Sequence, residues 1–481
     1  MTKRKPLTII DLMNRRNLLG PEFSGGSWDA WRAFLKTVFY LEMTDADDEL
    51  YAKCTGRPGG DVPVGGFKEV FLCVGRRGGK SFVMALIAVY MACFRSWEKN
   101  LSAGEVATIM IVATDRAQAR TILRYVIGLL HGVPALKDRI ENERAGGVDL
   151  VGRVNIEVTT CNFRSIRGRT VVLAICEEIA FWRTDDSANP DSELLQALRP
   201  AMATTPGAML LCVSSPYARR GELWRAYREF HAKPDAEVLF WKADTRTMNP
   251  TLPQSVVDRA YERDPDAAAA EYGAEFRTDI ADFVSREAVE ACVTLGCHER
   301  PYVSRTRYFA FTDPSGGASD SFTVVVAHRE KDRVIQDAVR EFRPPFSPDA
   351  TCAEIAGFLK TYKLRTVTGD RYSGEWVVEG FRKHGIRYVA SKKTKSELYV
   401  DVLAIINSGR ADLLDHPKTV NQFCSLERRT SRQGRDSIDH PPGGHDDLCN
   451  AVAGVLVACE KPAFRPHAIR IKMFATPLDY L

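Results

Sequence analysis

None of the twelve cysteines form a CxxC pair, and several, Cys73, Cys93, Cys176 and Cys212 among them, sit inside apolar runs. This argues against a zinc ribbon or a disulfide framework and for reduced, buried thiols in a cytosolic protein. Cys292, Cys297 and His298 lie close together, but with no second ligand pair at a suitable spacing they are not read as a zinc site. A signal peptide is not expected either, because charges interrupt the apolar segments of the opening MTKRKPLTIIDLMNRRN. The longest apolar run, Phe82 to Phe94, has about two thirds of the length that spans a bilayer. No membrane span is therefore expected. Internal repeats and low-complexity tracts are missing, which sets aside solenoids and disordered scaffolds. Charge of neither sign dominates: a formal net charge of +4 permits nucleic-acid binding without establishing it.

What is present is ample. At 481 residues the chain is too long for one ordinary core, so two or three domains are expected. A hydrophobic content of 45% beside 27% charged residues describes a soluble globular protein.

The stretch VGRRGGKS, residues 74–81, stands between a β-rich run, EVFLCV, and a helical one, FVMALIAVYMACF. Phosphate cradles need a glycine-rich turn that aims backbone N–H groups inward, a lysine for the β/γ-phosphates and a hydroxyl for Mg²⁺. Gly75, Arg76, Arg77, Gly78, Gly79, Lys80 and Ser81 supply them, although Val74 stands where the general pattern has its first glycine. A nucleotide with Mg²⁺ is the expected ligand. A second strand must carry acids beside that loop. TVVLAICEEIAFW, residues 170–182, is a continuous apolar run of the kind a buried parallel strand shows, and it ends in Glu177 and Glu178. Glu177, where Asp is usual, is expected to reach Mg²⁺ directly or through water, and Glu178 to act as the catalytic base. GAMLLCVSSPYARRGELW reads as a further strand with Ser214, Ser215 and Pro216 at its tip, placed to sense the γ-phosphate.

Beyond about residue 285 the pattern restarts. Asp313 ends one apolar strand, a glycine turn leads to Asp320, Asp370 ends another strand, and Asp446 and Asp447 open an apolar helix. Clustered carboxylates repel unless a cation neutralises them. Oxygen-rich sites of this kind select Mg²⁺ or Mn²⁺, and two ions about 4 Å apart clamp the attacking and leaving oxygens of a phosphodiester. A metal nuclease is expected from these acids.

Taken in order, VGRRGGKS, VVLAICEEIAFW, SSP, DPSGGASD, TGDRYS and GHDDL resemble the large terminase subunit of tailed bacteriophages, with SWDAWRAFLKTVF and AAAEYGAEFRTD in support. The resemblance covers nearly the whole chain. It implies an α/β protein: a P-loop NTPase domain over 1–285, a linker over 286–305, and a ribonuclease H-like endonuclease domain with a C-terminal tail over 306–481. It implies ATP-driven packaging of double-stranded DNA into a procapsid and metal-dependent cutting of the concatemer. Glu177 then resembles the Walker B acid, and Ser214, Ser215 and Pro216 the coupling motif. Asp313, Asp370 and one of Asp446 and Asp447 resemble the nuclease acids, with Asp320 auxiliary. Further implied are a portal protein, a small terminase subunit and a homo-oligomeric ring, with five copies expected. The implied location is the bacterial cytoplasm and, transiently, the portal vertex, without a membrane partner and outside the mature virion.

A cationic finger is needed for the charge of phosphoryl transfer. Arg76 and Arg77 are candidates in cis, and Arg167 or Arg169 candidates acting on a neighbouring subunit. SKKTKSELY (391–399) and LERRTSRQGR (426–435) are expected as DNA-facing basic loops beside the nuclease acids. Two rivals stand: a helicase or repair translocase with an appended nuclease, and a non-enzymatic portal-binding protein with a decayed nucleotide site.

Overall fold

A computed structural model describes residues 6–59, 62–113, 116–161, 166, 168–182, 190–318, 320–370, 374–430 and 436–460. The chain divides into two compact units, one within Met1–Phe283 and Glu427–Gly444, the other within Val284–Leu426 and His445–Leu481. Residues 286–305, expected as a linker, contain the helix Arg286–Glu290 and the strand Val293–Thr294, both in the second unit.

The first unit is built on strands β1 (Glu69–Val74), β2 (Ala107–Ala113), β3 (Ile140–Arg144), β4 (Gly147–Leu150), β5 (Val154–Thr160), β6 (Thr170–Glu177), β7 (Met209–Ser214) and β8 (Val238–Ala243). They lie in the order β3-β4-β5-β2-β6-β7-β1-β8. From β5 to β8 every neighbouring pair is parallel, and the β3–β4 hairpin adds an antiparallel edge. Parallel strands covered on both faces read as unbroken apolar runs, and β2 is buried throughout. Side chains alternate between faces. Val70, Leu72 and Val74 of β1 join one core with the helix Lys80–Cys93, while Phe71 and Cys73 join another with the helices Pro190–Ala203 and Gly221–Phe230. The order also decides a functional point. One strand, β7, separates β1, which leads into the glycine loop, from β6, which ends in Glu177. Its tip therefore stands between them.

The second unit holds strands β10 (Val293–Thr294), β11 (Tyr308–Asp313), β12 (Phe322–Glu330), β13 (Arg333–Phe342), β14 (Thr366–Gly369), β15 (Arg387–Ala390) and β16 (Ala411–Leu414), in the order β10-β16-β13-β12-β11-β14-β15. Strands β11, β12 and β13 form an antiparallel meander, and β14 and β15 run parallel to β11. Numbered from β11, these five read 3-2-1-4-5, the strand order of a ribonuclease H-like sheet.

The helix Asp447–Cys459 packs across β11 and β12. Gly454 lets it approach: a Cβ there would lie 2.4 Å from Cγ of Phe311. Alanine normally stabilises a helix interior by about 1 kcal/mol over glycine, whereas overpacking a core costs about 1–3 kcal/mol. Gly454→Ala is therefore expected to lower the denaturation midpoint. A raised midpoint would show that the helix can lift off Phe311 freely.

A third, small sheet belongs to the first unit. It pairs β9 (Ile280–Asp282), β17 (Glu427–Thr430) and β18 (Asp436–Asp439) antiparallel, in the order β18-β17-β9. Residues 427–430, expected as part of a basic loop over 426–435, therefore form a strand; 431–435 lie outside the described residues. Arg429 is drawn in by the buried Glu427, to which its Nη2 donates at 3.1 Å. Among the described residues no helix is long and apolar enough to cross a membrane.

Candidate active sites

In the first unit, β1 delivers the glycine loop to the helix that starts at Lys80. Gly79 has φ 95°, a conformation that favours glycine. A Cβ on Gly75 would fall 2.3 Å from Thr245 Oγ1. The loop is tied at three carbonyls: Trp31 Nε1 donates to Gly78 O (2.9 Å), Thr245 Oγ1 to Arg76 O (2.8 Å) and Asn249 Nδ2 to Arg77 O (2.8 Å). Lys80 is buried, donating to Val74 O (2.9 Å) and Gly75 O (3.3 Å), with Glu178 Oε1 at 3.8 Å.

The longer arm of Glu177 does reach the loop. Ser81 Oγ donates to Glu177 Oε1 at 2.6 Å, while Oε2 is buried with no hydrogen-bond partner among the described residues. Burial, more than its neighbour Glu178, pushes the Glu177 carboxyl up to about 7. A hydroxyl and a buried carboxylate are the oxygen donors a hard divalent cation takes, so the residues fit Mg²⁺. Glu178 sits on the turn after β6 at φ 52°. Its Oε2 accepts from Ser214 Oγ (3.0 Å) and from the Ser215 backbone N–H (3.2 Å), so the tip of β7 holds the expected catalytic base.

The arginine candidates separate. Arg76 is exposed and pairs with Glu271 at 2.9 Å. Arg77 is exposed at φ 62°. Arg169, just before β6, is bound to Glu157 of β5. Arg167 lies outside the described residues.

In the second unit the parallel register sets Thr312 opposite Gly369, which brings Asp313 and Asp370 to adjacent strand ends. The helix carrying Asp447 closes the group. Burial raises Asp313 well above the usual carboxylate range, with Asp447, Asp446 and Asp370 adding to it in that order. Asp447 is pushed up to about 6 by burial, then by Asp446. Among the described residues, no three of these acids bring one oxygen each within 4.8 Å of one another. They share a field without forming a closed cage. Asn450 Nδ2 donates to Asp313 Oδ2 (2.8 Å), and the Ser321 N–H to Asp447 Oδ2 (3.3 Å). Asp446 differs. It is buried, accepts from Tyr399 Oη at 2.8 Å and pairs with Lys395 at 3.0 Å, so its charge is already answered by protein. Asp320 stands 3.6 Å from His445. Among the described residues no salt bridge reaches Asp313 or Asp447, although His445 favours the charge of Asp447, and both acids fit a hard divalent ion by their donor chemistry. Of the basic stretch 391–399, Lys393 is engaged with Asp401 and Lys395 with Asp446.

No protein-family model matches the chain, and no curated protein matches it. Solved structures do. The HK97 bacteriophage large terminase aligns at 15% identity over 89% of this chain and 99% of its own, with a TM-score of 0.38. A large terminase from a thermophilic bacteriophage aligns at 15% identity over 82% and 95%, with a TM-score of 0.37. The large terminase nuclease of another thermophilic phage, G20c, aligns at 14% identity over 36% of this chain and 97% of its own, with a TM-score of 0.33. The chain is similar to bacteriophage large terminases. Identity and superposition this low assign no residue a role; the contacts above are this chain's own.

Several residues at these sites escape a reading of the sequence. Trp31, Thr245 and Asn249 brace the glycine loop from distant segments; Trp31 lies in the supporting stretch SWDAWRAFLKTVF, but no local pattern gives any of the three this role. Asn450 leaves a trace. After Asp447 it is the one non-apolar side chain of DLCNAVAGVLVAC, one helical turn on and so on the same face.

Proposed function

We propose that this chain is a packaging motor and nuclease: it hydrolyses ATP to drive double-stranded DNA into a procapsid and cuts that DNA with divalent cations. One observation carries the reading. Two carboxylate sites with different partners occupy different units, one beside a phosphate loop and one on a ribonuclease H-like sheet. The packaging role is supported by the order of motifs along the chain.

At the first site Ser81 and Glu177 would hold Mg²⁺, which when bound neutralises charge on the β- and γ-phosphates. Lys80 leaves its carbonyl partners for the phosphates. Glu178 orients the attacking water and accepts its proton, while Ser214 and Ser215 keep its carboxylate at the tip of β7. At the second site Asp313, Asp370 and Asp447 would hold Mg²⁺, with Mn²⁺ as a substitute; when bound, such ions stabilise charge on the phosphodiester. Asn450 orients Asp313, and Lys395 with Tyr399 keeps Asp446 back from the ions. The portal protein, the small terminase subunit and a ring of copies, five by expectation, belong to the same proposal.

The helicase rival needs a second motor lobe, but the stretch it would fill forms the acid-bearing sheet. The purified chain should nick circular DNA with Mn²⁺ and no nucleotide, and should separately release phosphate from ATP. Failure to nick under Mn²⁺ or Mg²⁺ would sink the nuclease half. Failure to release phosphate would favour the decayed-site rival.

A further inference from the structure

Glu427 is fully buried in the first unit, at 0% exposure. It follows the second unit's sheet strands in sequence, yet its strand β17 pairs with β9 of the first unit. Its carboxylate accepts from Tyr217 Oη (2.7 Å), from Arg220 and from Arg429 (3.1 Å). A buried carboxylate with two guanidiniums and a phenol resists losing any one of them, because the remaining charge would be left uncompensated. The arrangement is therefore held in place.

Tyr217 is the residue through which this matters. Its ring packs on Phe181 with centroids 5.0 Å apart, and the Phe181 N–H donates to Glu178 O at 2.9 Å. It also comes two residues after Ser215, which with Ser214 binds the Glu178 carboxylate. Tyr217 thus abuts both supports of Glu178, the turn that carries its backbone and the strand tip that holds its side chain. On the other side its carbonyl accepts from the Arg277 N–H at 2.8 Å, and Ile280 of β9 packs against it.

We infer that Glu427 is a positioning residue for ATP hydrolysis, fixing through Tyr217 the turn and strand tip that aim Glu178. This rests on the nucleotide reading of the first site. Part of what sets the ATPase geometry then comes from a hairpin encoded after the second unit's sheet.

The test uses the full chain. Tyr217→Phe removes one hydroxyl and keeps the ring on Phe181; Glu427→Gln keeps the shape and removes the charge. Both are expected to lower kcat for ATP by about tenfold, since sub-ångström misplacement of a catalytic group costs rate steeply. KM for ATP should stay within twofold, because the phosphate loop is untouched, and metal-dependent nicking of circular DNA should be unchanged. That split separates positioning from general loosening. Equal loss of ATP turnover and nicking would overturn the role in favour of a purely structural one. A Tyr217→Phe chain with kcat within twofold of the unaltered one would overturn it even if Glu427→Gln failed to fold. An unaltered chain that hydrolyses no ATP would instead bring down the nucleotide reading, and this role with it.

Discussion

Glu178→Gln is expected to cut ATP turnover by about 10²–10⁴-fold, the contribution a positioned general base makes. The amide keeps the size of the carboxylate and can still accept from Ser214 Oγ, so the turn after β6 stays in place. What is lost is the capacity to take a proton from water. Nucleotide binding should persist, because Lys80 and the glycine loop are unaltered. Nicking of circular DNA should persist too, because none of its acids lies in the first unit. Phosphate release and plasmid nicking, measured on one preparation, decide the matter. Loss of both activities in folded protein would mean that the two sites are one system.

The converse substitution, Asp313→Ala, should abolish DNA cutting and spare ATP turnover. Loss of a residue that orients a metal ligand costs about 10–100-fold, so loss of a ligand should cost more than about 100-fold. The acid pair at the head of the final helix sharpens this. Asp447→Asn is expected to match Asp313→Ala. Asp446→Asn should fall short of it, because Asp446 is bound to Lys395 and Tyr399. The pH dependence follows with a definite sign. A carboxyl raised to about 6 is protonated below that pH and cannot serve as a ligand, so cutting should rise as pH passes through about 6 and divalent ions should shift that rise downward. Cutting that was flat from pH 5 to 8, or Asp446→Asn as inactive as Asp447→Asn, would contradict the assignment.

Much of this was readable along the chain. The glycine loop, the strand ending in two glutamates and the three acid-bearing elements announce themselves because each is local: a turn needs its glycines, and a parallel strand buried on both faces needs an apolar run. The register Thr312 to Gly369 was not readable. Nor were the contacts that set Asp446 apart from Asp447, which come from Lys395 and Tyr399, about fifty residues away. The strand over 427–430 was hidden for a related reason. Its arginines suggest a solvated loop, whereas one glutamate, buried against Tyr217 and Arg220, draws it into a strand of the first unit.

The linear order of residues was enough to suggest the chemistry on offer: a phosphate loop, a paired acid beside it, and a second family of acids suited to hard cations. Folding decided which of those groups lie together. Side-chain charge is expensive to bury, so each buried carboxylate must find its cations, donors or metal through space. Those partners lie wherever sheet order and helix packing put them, which no short window of sequence records.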